Sequence, residues 1–171
     1  MHIRLNLYNS LFKSHLEFGI LAWGAVSIKK LSGLINLQKK CVRNIAIKFK
    51  NSHTDPIFSK LKIIKVEDLL RFHSSIFMHK YILGKQPETF NNMFIPLKSN
   101  NRTGDFILQK YKLNFFDKFP SAFLPKIWNK NPTYIKNCLS ESSIKLLLKE
   151  SIFSNYSNDI KCNYVNCPDC I

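Results

Sequence analysis

The chain has 171 residues, enough for one ordinary hydrophobic core and too few for two comfortable domains. Hydrophobic residues make up 45% and aromatics 13%, with Phe alone present 14 times; that much apolar surface offsets the entropy of folding and excludes wholesale disorder. Against 11 Asp and Glu stand 26 Lys and Arg, a formal +15, which favours polyanionic partners: nucleic acid, or an acidic membrane surface.

The opening stretch LYNSLFKSHLEFGILAWG (7–24) becomes almost wholly apolar at its end. Leu5, Tyr8, Phe12, Leu16, Gly19 or Ile20, and Trp23 recur at helical spacing, while Arg4, Lys13, His15 and Glu17 interrupt the apolar run before it reaches the roughly 20 residues of a membrane span. The pattern predicts an amphipathic helix, more deeply buried towards Trp23 and stopped at Gly24. No transmembrane segment is expected. Nor is there a cationic start followed by an apolar stretch and a cleavage site, so the five cysteines predict an intracellular, reducing setting, nuclear or cytoplasmic.

A second helix is predicted over 29–48, with Leu31, Leu34, Ile35, Gln38, Cys41 or Val42 and Ile45 inward. Lys39, Lys40 and Arg43 project from its flank, followed by Lys48 and Lys50. A solvated helix face is the ordinary explanation of such a cluster. Here Glu17 is the only acid in the first fifty residues, so the charge is not neutralised locally and contact with phosphates gains weight.

The polar run Asn51-Ser52-His53-Thr54-Asp55-Pro56 predicts a loop opening a short helix, with Pro56 in the first turn where its missing N–H is harmless. A third long helix is expected over 65–83, with Val66, Leu69, Leu70, His73, Ile76, Phe77 and Tyr81 inward and Gly84 closing it. A lone histidine on an apolar stripe, such as His73, is ordinarily a hydrogen-bonded core residue. Residues 86–104 shift to Asn, Pro, Ser and Gly and predict a connector with one apolar foothold at Met93-Phe94-Ile95. Beyond it, Phe106-Ile107-Leu108 and the aromatic and basic mixture of 111–119 predict short strands or extended segments. Two short helical turns follow, around Pro125–Asn129 and Pro132–Ile135, with Trp128 as an anchor. The last helix starts after Ser140 as N-cap and buries Ile144, Leu147, Leu148 and Ile152.

Catalytic patterns are sparse. Of five glycines none forms a GxGxxG or GxxxxGK[ST] loop, and the only adjacent acids, Glu67-Asp68, sit where negative charge suits a helix dipole. Cys41 and Cys138 read as buried structural thiols. The exception is the tail, where Cys162, Cys167 and Cys170 have C-x4-C-x2-C spacing. Gathered thiolates suit zinc, but a closed structural site needs a fourth ligand, from Cys138 or a partner.

With these segments in view, several blocks resemble, in order, the region that follows the catalytic core in reverse transcriptases of non-LTR, LINE-type retrotransposons, especially the jockey-like group. They are LYNSLFKSHLEFGILAWG (7–24), LQKKCVRNIA (37–46), HTDPIFSKLKIIKVEDL (53–69), FMHKY (77–81), NRTGD (101–105) and WNKNPTYIKN (128–137). The resemblance implies an RNA-directed DNA polymerase parentage, and a thumb-like role for the first two helices along the template and primer backbone. In that family the YxDD-type motif and the other metal-holding aspartates lie upstream of every block seen here. No catalytic residue carries over, so the chain is expected to extend no primer by itself and to look like a C-terminal piece or truncated element copy, with an upstream polymerase core among its partners.

The expected fold is mainly α: a small bundle made of a thumb-like helical hairpin and further helices, irregular aromatic-rich connectors and a Cys-containing tail. The expected organisation is a thumb-like helical domain (1–85), a connector (86–104), a C-terminal helical segment (105–157) and a Cys-rich tail (158–171). The expected function is non-specific binding of an RNA or DNA backbone through Lys39, Lys40, Arg43, Lys48 and Lys50. The competing reading is a basic helical module that docks an acidic protein or an anionic membrane.

Overall fold

A computed structural model describes residues 2–50, 52–97, 104–109, 112, 113 and 115–158. Among these the fold is mainly helical, as the periodicity predicts. The helices are α1 (His2–Leu7), a π-helical turn π1 (Tyr8–Lys13), α2 (Ser14–Glu17), α3 (Ile20–Trp23), α4 (Ile28–Ala46), α5 (Asp55–Leu61), α6 (Val66–Ile82), α7 (Pro120–Asn129), α8 (Thr133–Lys136) and α9 (Glu141–Asn158). The chain forms two compact units, each discontinuous in sequence. One draws on the segment through Gly19, on Ser27–Leu69 and on the chain from Lys149; the other draws on Ile20–Val26 and Leu70–Leu148.

In the first unit, α1, π1 and α2 run without a break, but the π turn replaces the expected regular helix. Serines back-bond here, Ser10 Oγ donating to the Asn6 carbonyl at 3.0 Å and Ser14 Oγ to that of Ser10, which loosens the α register. The predicted single helix also ends early. Gly19 takes φ +62, a left-handed conformation a glycine adopts without strain, and interrupts the helix ahead of Gly24. Helix α4 matches its predicted span within two residues at either end and buries Ile35, Gln38, Val42 and Ile45. Gln38 is the hub of this unit. Its Nε2 donates to the Tyr8 hydroxyl and the Ile64 carbonyl, both at 2.9 Å, and its Oε1 accepts from the Val66 N–H at 3.0 Å. That last donor opens α6 and would otherwise be an orphan of the helix start. Tyr156 of α9 receives the Lys65 N–H at 3.0 Å and donates to the Asp68 carboxylate, while Lys65 pairs with Asp55 at 2.8 Å.

In the second unit Gly24 has a different reason to be glycine: a Cβ there would lie 2.5 Å from the Ile20 carbonyl oxygen and 3.1 Å from a methyl of Leu70. Trp128, Ile135, Ile144 and Leu148 are fully buried. Trp128 does anchor, through apolar contact and through its indole N–H, which donates to the Gly104 carbonyl at 3.1 Å. The neighbouring Asn129 side chain brackets Phe106, accepting from its N–H at 3.0 Å and donating to its carbonyl at 2.8 Å. Lys136 completes the clamp, donating to Asp105 at 2.6 Å and to the Asn129 carbonyl at 2.9 Å. Of the segments expected as possible strands, Phe106 forms only an isolated antiparallel bridge, with Pro96 of the connector, and Phe116–Lys118 makes a 3-10 turn instead. Asn129 supplies to Phe106 the hydrogen bonds a neighbouring strand would. Ser140 caps α9 as predicted, accepting from the Ser143 N–H at 3.1 Å. Glu141 in its first turn receives hydrogen bonds from Lys145 and Lys80, which hold its carboxyl below the usual range.

Candidate nucleic-acid interface

The basic flank of α4 is built by the same periodicity that buries its inner face. Residues one helical repeat apart share a face, so Lys29, Gly33 and Lys40, separated by four and seven residues, line one outward strip. All three are exposed, as is Lys30 beside them. No acidic residue occurs anywhere from Ile28 to Lys50. Lys39 and Arg43, also four apart, sit half-buried at the edge of the strip. Lys29 and Lys30 were not among the residues expected to matter, although their signal was present: two cations in a first turn without acids, at the positive end of the helix dipole, where a cation is least favourable.

Arg43 is more constrained than the rest. Its Nε donates to the Ser52 carbonyl at 2.9 Å, tying the segment after α4 back to the helix. Arg4 does the same from α1, donating to the Asn44 carbonyl at 2.9 Å. Of the two, only Arg4 meets a carbonyl of the negative end of α4; Arg43 lies in the last turn and bonds beyond the helix.

Beyond that end, Ile47 adopts φ +54. Its N–H reaches the Asn44 carbonyl and that of Lys48 the Arg43 carbonyl at 3.0 Å, the paired bonds of a Schellman cap with isoleucine where glycine is usual. Ile47-Lys48-Phe49-Lys50 then presents cations alternating with apolar side chains, Ile47 being 73% and Phe49 87% exposed. An exposed aromatic ring between two lysines suits stacking on an unpaired base beside its phosphates. Phe49 was overlooked in the sequence, though the alternation marks it.

Cys41 and Cys138, expected as buried thiols, are only half-buried, and that partial burial pushes both thiols up from their ordinary range. Cys138 Sγ lies 3.5 Å from the Tyr134 carbonyl. Among the described residues no three His, Cys, Asp or Glu side chains gather as a metal site would require. Cys162, Cys167 and Cys170 lie outside the described residues. His73 packs edge-on to Phe72, the ring centroids 5.3 Å apart, and is half-buried. Also among the described residues, no helix is long and apolar enough to cross a membrane.

No protein-family model matches the chain, and neither a curated protein nor a solved structure does.

Proposed function

We propose that the chain grips the backbone of RNA or DNA, without sequence preference, through the outward face of α4 and the segment beyond it. It would serve as the non-catalytic region that follows the polymerase core in a LINE-type reverse transcriptase. One observation carries this reading: Lys29, Lys30, Lys39, Lys40, Arg43, Lys48 and Lys50 lie along one helix and its continuation with no acid among them. A strip of fixed cations displaces condensed counterions from phosphates, and that displacement drives non-specific binding. The resemblance supplies the context, since the LQKKCVRNIA block contains Lys39, Lys40 and Arg43.

The test is the salt dependence of binding to a duplex and to a single strand. Affinity falls steeply with salt, and reversing Lys29 and Lys40 together lowers the slope by about 2 on a log–log plot. Affinity unchanged between low and physiological salt would refute the reading. The chain alone is expected to extend no primer on an RNA template, and metal-dependent extension by pure protein would overturn the non-catalytic assignment.

A second reading is favoured by one specific feature. Ile3, Leu7 and Leu11 stand 77%, 54% and 66% exposed at four-residue spacing along α1 and π1, an apolar strip suited to a partner protein or a membrane surface. Flotation with anionic liposomes, run beside the nucleic-acid titration, decides between them.

A further inference from the structure

The π turn does something a regular helix cannot. Residues five apart point about 140° away from each other around an α-helix, yet Tyr8 and Lys13 both line one cavity of about 140 Å³ in the first unit. The wider π register, with its i to i+5 bonds, brings them to the same side, and such turns are frequent at functional sites. Lys62 and Lys149 reach the same cavity from other elements, and Leu61, Ile63 and Ile64 supply an apolar floor. No acid lines it.

Two polar groups beside this floor, the Tyr8 hydroxyl and the Asn9 amide, have hydrogen-bonding capacity left for a ligand. Tyr8 accepts from Gln38 but donates its own hydroxyl proton to no described residue, and burial keeps that proton on by pushing the phenol up to about 12. Asn9, also in the lining, has an exposed amide that makes no hydrogen bond among the described residues. Lys62 stacks over the Phe153 ring at 5.1 Å, which fixes one cation at the cavity. An apolar cavity near 150 Å³ holds a single six-membered ring. A fatty carboxylate would use the floor and the lysines but leave the amide and the phenol idle. A nucleotide uses all of them: ring on the floor, base edge on Asn9 and Tyr8, phosphate beside Lys62.

We propose that this cavity takes one unpaired pyrimidine nucleotide, a second and more selective contact with the strand that the α4 face grips. A purine is too large for it. The inference rests on the nucleic-acid reading above, and the experiment separates the two.

The probes are uridine monophosphate, adenosine monophosphate, uridine and inorganic phosphate, each titrated into the whole chain and followed by backbone NMR. Uridine monophosphate is expected to shift the amides of Tyr8, Asn9, Lys62 and Ile63 and to bind at least tenfold more tightly than each of the other three. Lys62→Asn, which removes the charge while suiting the left-handed backbone at φ +54, weakens it about tenfold. Leu5→Phe, which fills the cavity from its lining, abolishes the response. Shifts that map elsewhere, phosphate alone matching the nucleotide, or unchanged binding by Leu5→Phe would overturn the proposal. Both variants leave the α4 cations in place. Salt-sensitive duplex binding without a pyrimidine response therefore sinks this inference alone, whereas loss of duplex binding by the wild-type chain sinks the parent reading.

Discussion

Replacing Gln38 by Leu keeps side-chain volume and helix propensity but removes the hub of the first unit. Three buried partners are stranded together: the Val66 N–H, the Ile64 carbonyl and the Tyr8 hydroxyl. Val66 is 2% and Ile64 8% exposed, so neither backbone group is readily rehydrated. Each stranded group costs roughly 1–3 kcal/mol, and the added apolar side chain returns about 1 kcal/mol. The expected net loss is about 3 kcal/mol, or a fall in Tm of roughly 6–12 °C for a chain of this size. Urea unfolding followed by circular dichroism measures the loss directly. Native-state hydrogen exchange at the Val66 amide locates it, since that proton loses its acceptor. A change below about 0.5 kcal/mol, the range of ordinary surface substitutions, would refute the reasoning by showing that water or a shifted side chain serves all three groups.

Ile47→Gly relieves a β-branched residue held at φ +54 and should stabilise the chain by about 1 kcal/mol in urea unfolding, while Gly84→Ala, at the matching cap of α6 with φ +66, should destabilise it by a similar amount. Asp105→Asn leaves the Lys136 ammonium, whose side chain is 6% exposed, without its counter-charge; because Asp105 is itself 22% exposed, the expected loss is about 2 kcal/mol, read by thermal melting. Gly33→Ala meets nothing within 4 Å and should stabilise α4 by roughly 0.5–1 kcal/mol, yet weaken nucleic-acid binding by crowding the phosphate approach, which a paired melt and gel shift would show. Tyr8 and Tyr156 have phenols raised by burial, for Tyr156 also by its bond to Asp68. Their contribution to stability is complete below the ordinary value of 10.0 and is lost as pH rises towards about 12 and beyond, so ultraviolet titration should find these two tyrosines ionising only as helical dichroism disappears.

Helical periodicity made the existence of α4 and α6 legible, because apolar positions repeat along each for four or five turns, but it fixed the phase only of α4: α6 buries Phe72, Ser75, Met78 and His79, and leaves Leu70, His73, Phe77 and Tyr81, expected inward, half-buried. The Ser140 cap was legible for a local reason: the hydroxyl and the N–H it receives lie three residues apart. The π turn was not, since its register change comes from serine back-bonding and packing, and the apolar spacing of Tyr8, Phe12 and Leu16 also fits a plain helix. Gly24 was expected to stop the first helix, yet Gly19 interrupts it earlier; one needs a positive φ and the other a close approach, and both needs read simply as Gly. The Asn129 bracket on Phe106 joins residues 23 apart, and no local pattern encodes such a bond. On one side Phe106 is bridged to Pro96, with the Ile107 N–H donating to the Ile95 carbonyl at 2.8 Å; on the other an asparagine side chain takes the place of a further strand. In the candidate interface, the cations were legible as a cluster, but Lys29, Lys30, Gly33 and Phe49 emerged only once the outward face was drawn.

The two faces of α4 follow opposite rules. Inward, every choice favours the fold: Ile35, Val42 and Ile45 are buried and Gln38 has both side-chain polar atoms hydrogen-bonded. Outward, several choices work against it. Lys29 and Lys30 oppose the helix dipole, Gly33 weakens the helix interior with open space above it, Ile47 occupies a glycine position, and Phe49 is left 87% exposed. Each of these costs from a few tenths to about 2 kcal/mol by itself. Such costs occur elsewhere too, since Lys62 also takes φ +54 and Leu139 is 89% exposed, but on this strip and its continuation they coincide with the absence of any acid from Ile28 to Lys50, and that coincidence supports the proposed contact with a polyanion. Stabilising that strip should therefore weaken its binding, the trade-off expected where stability yields to function.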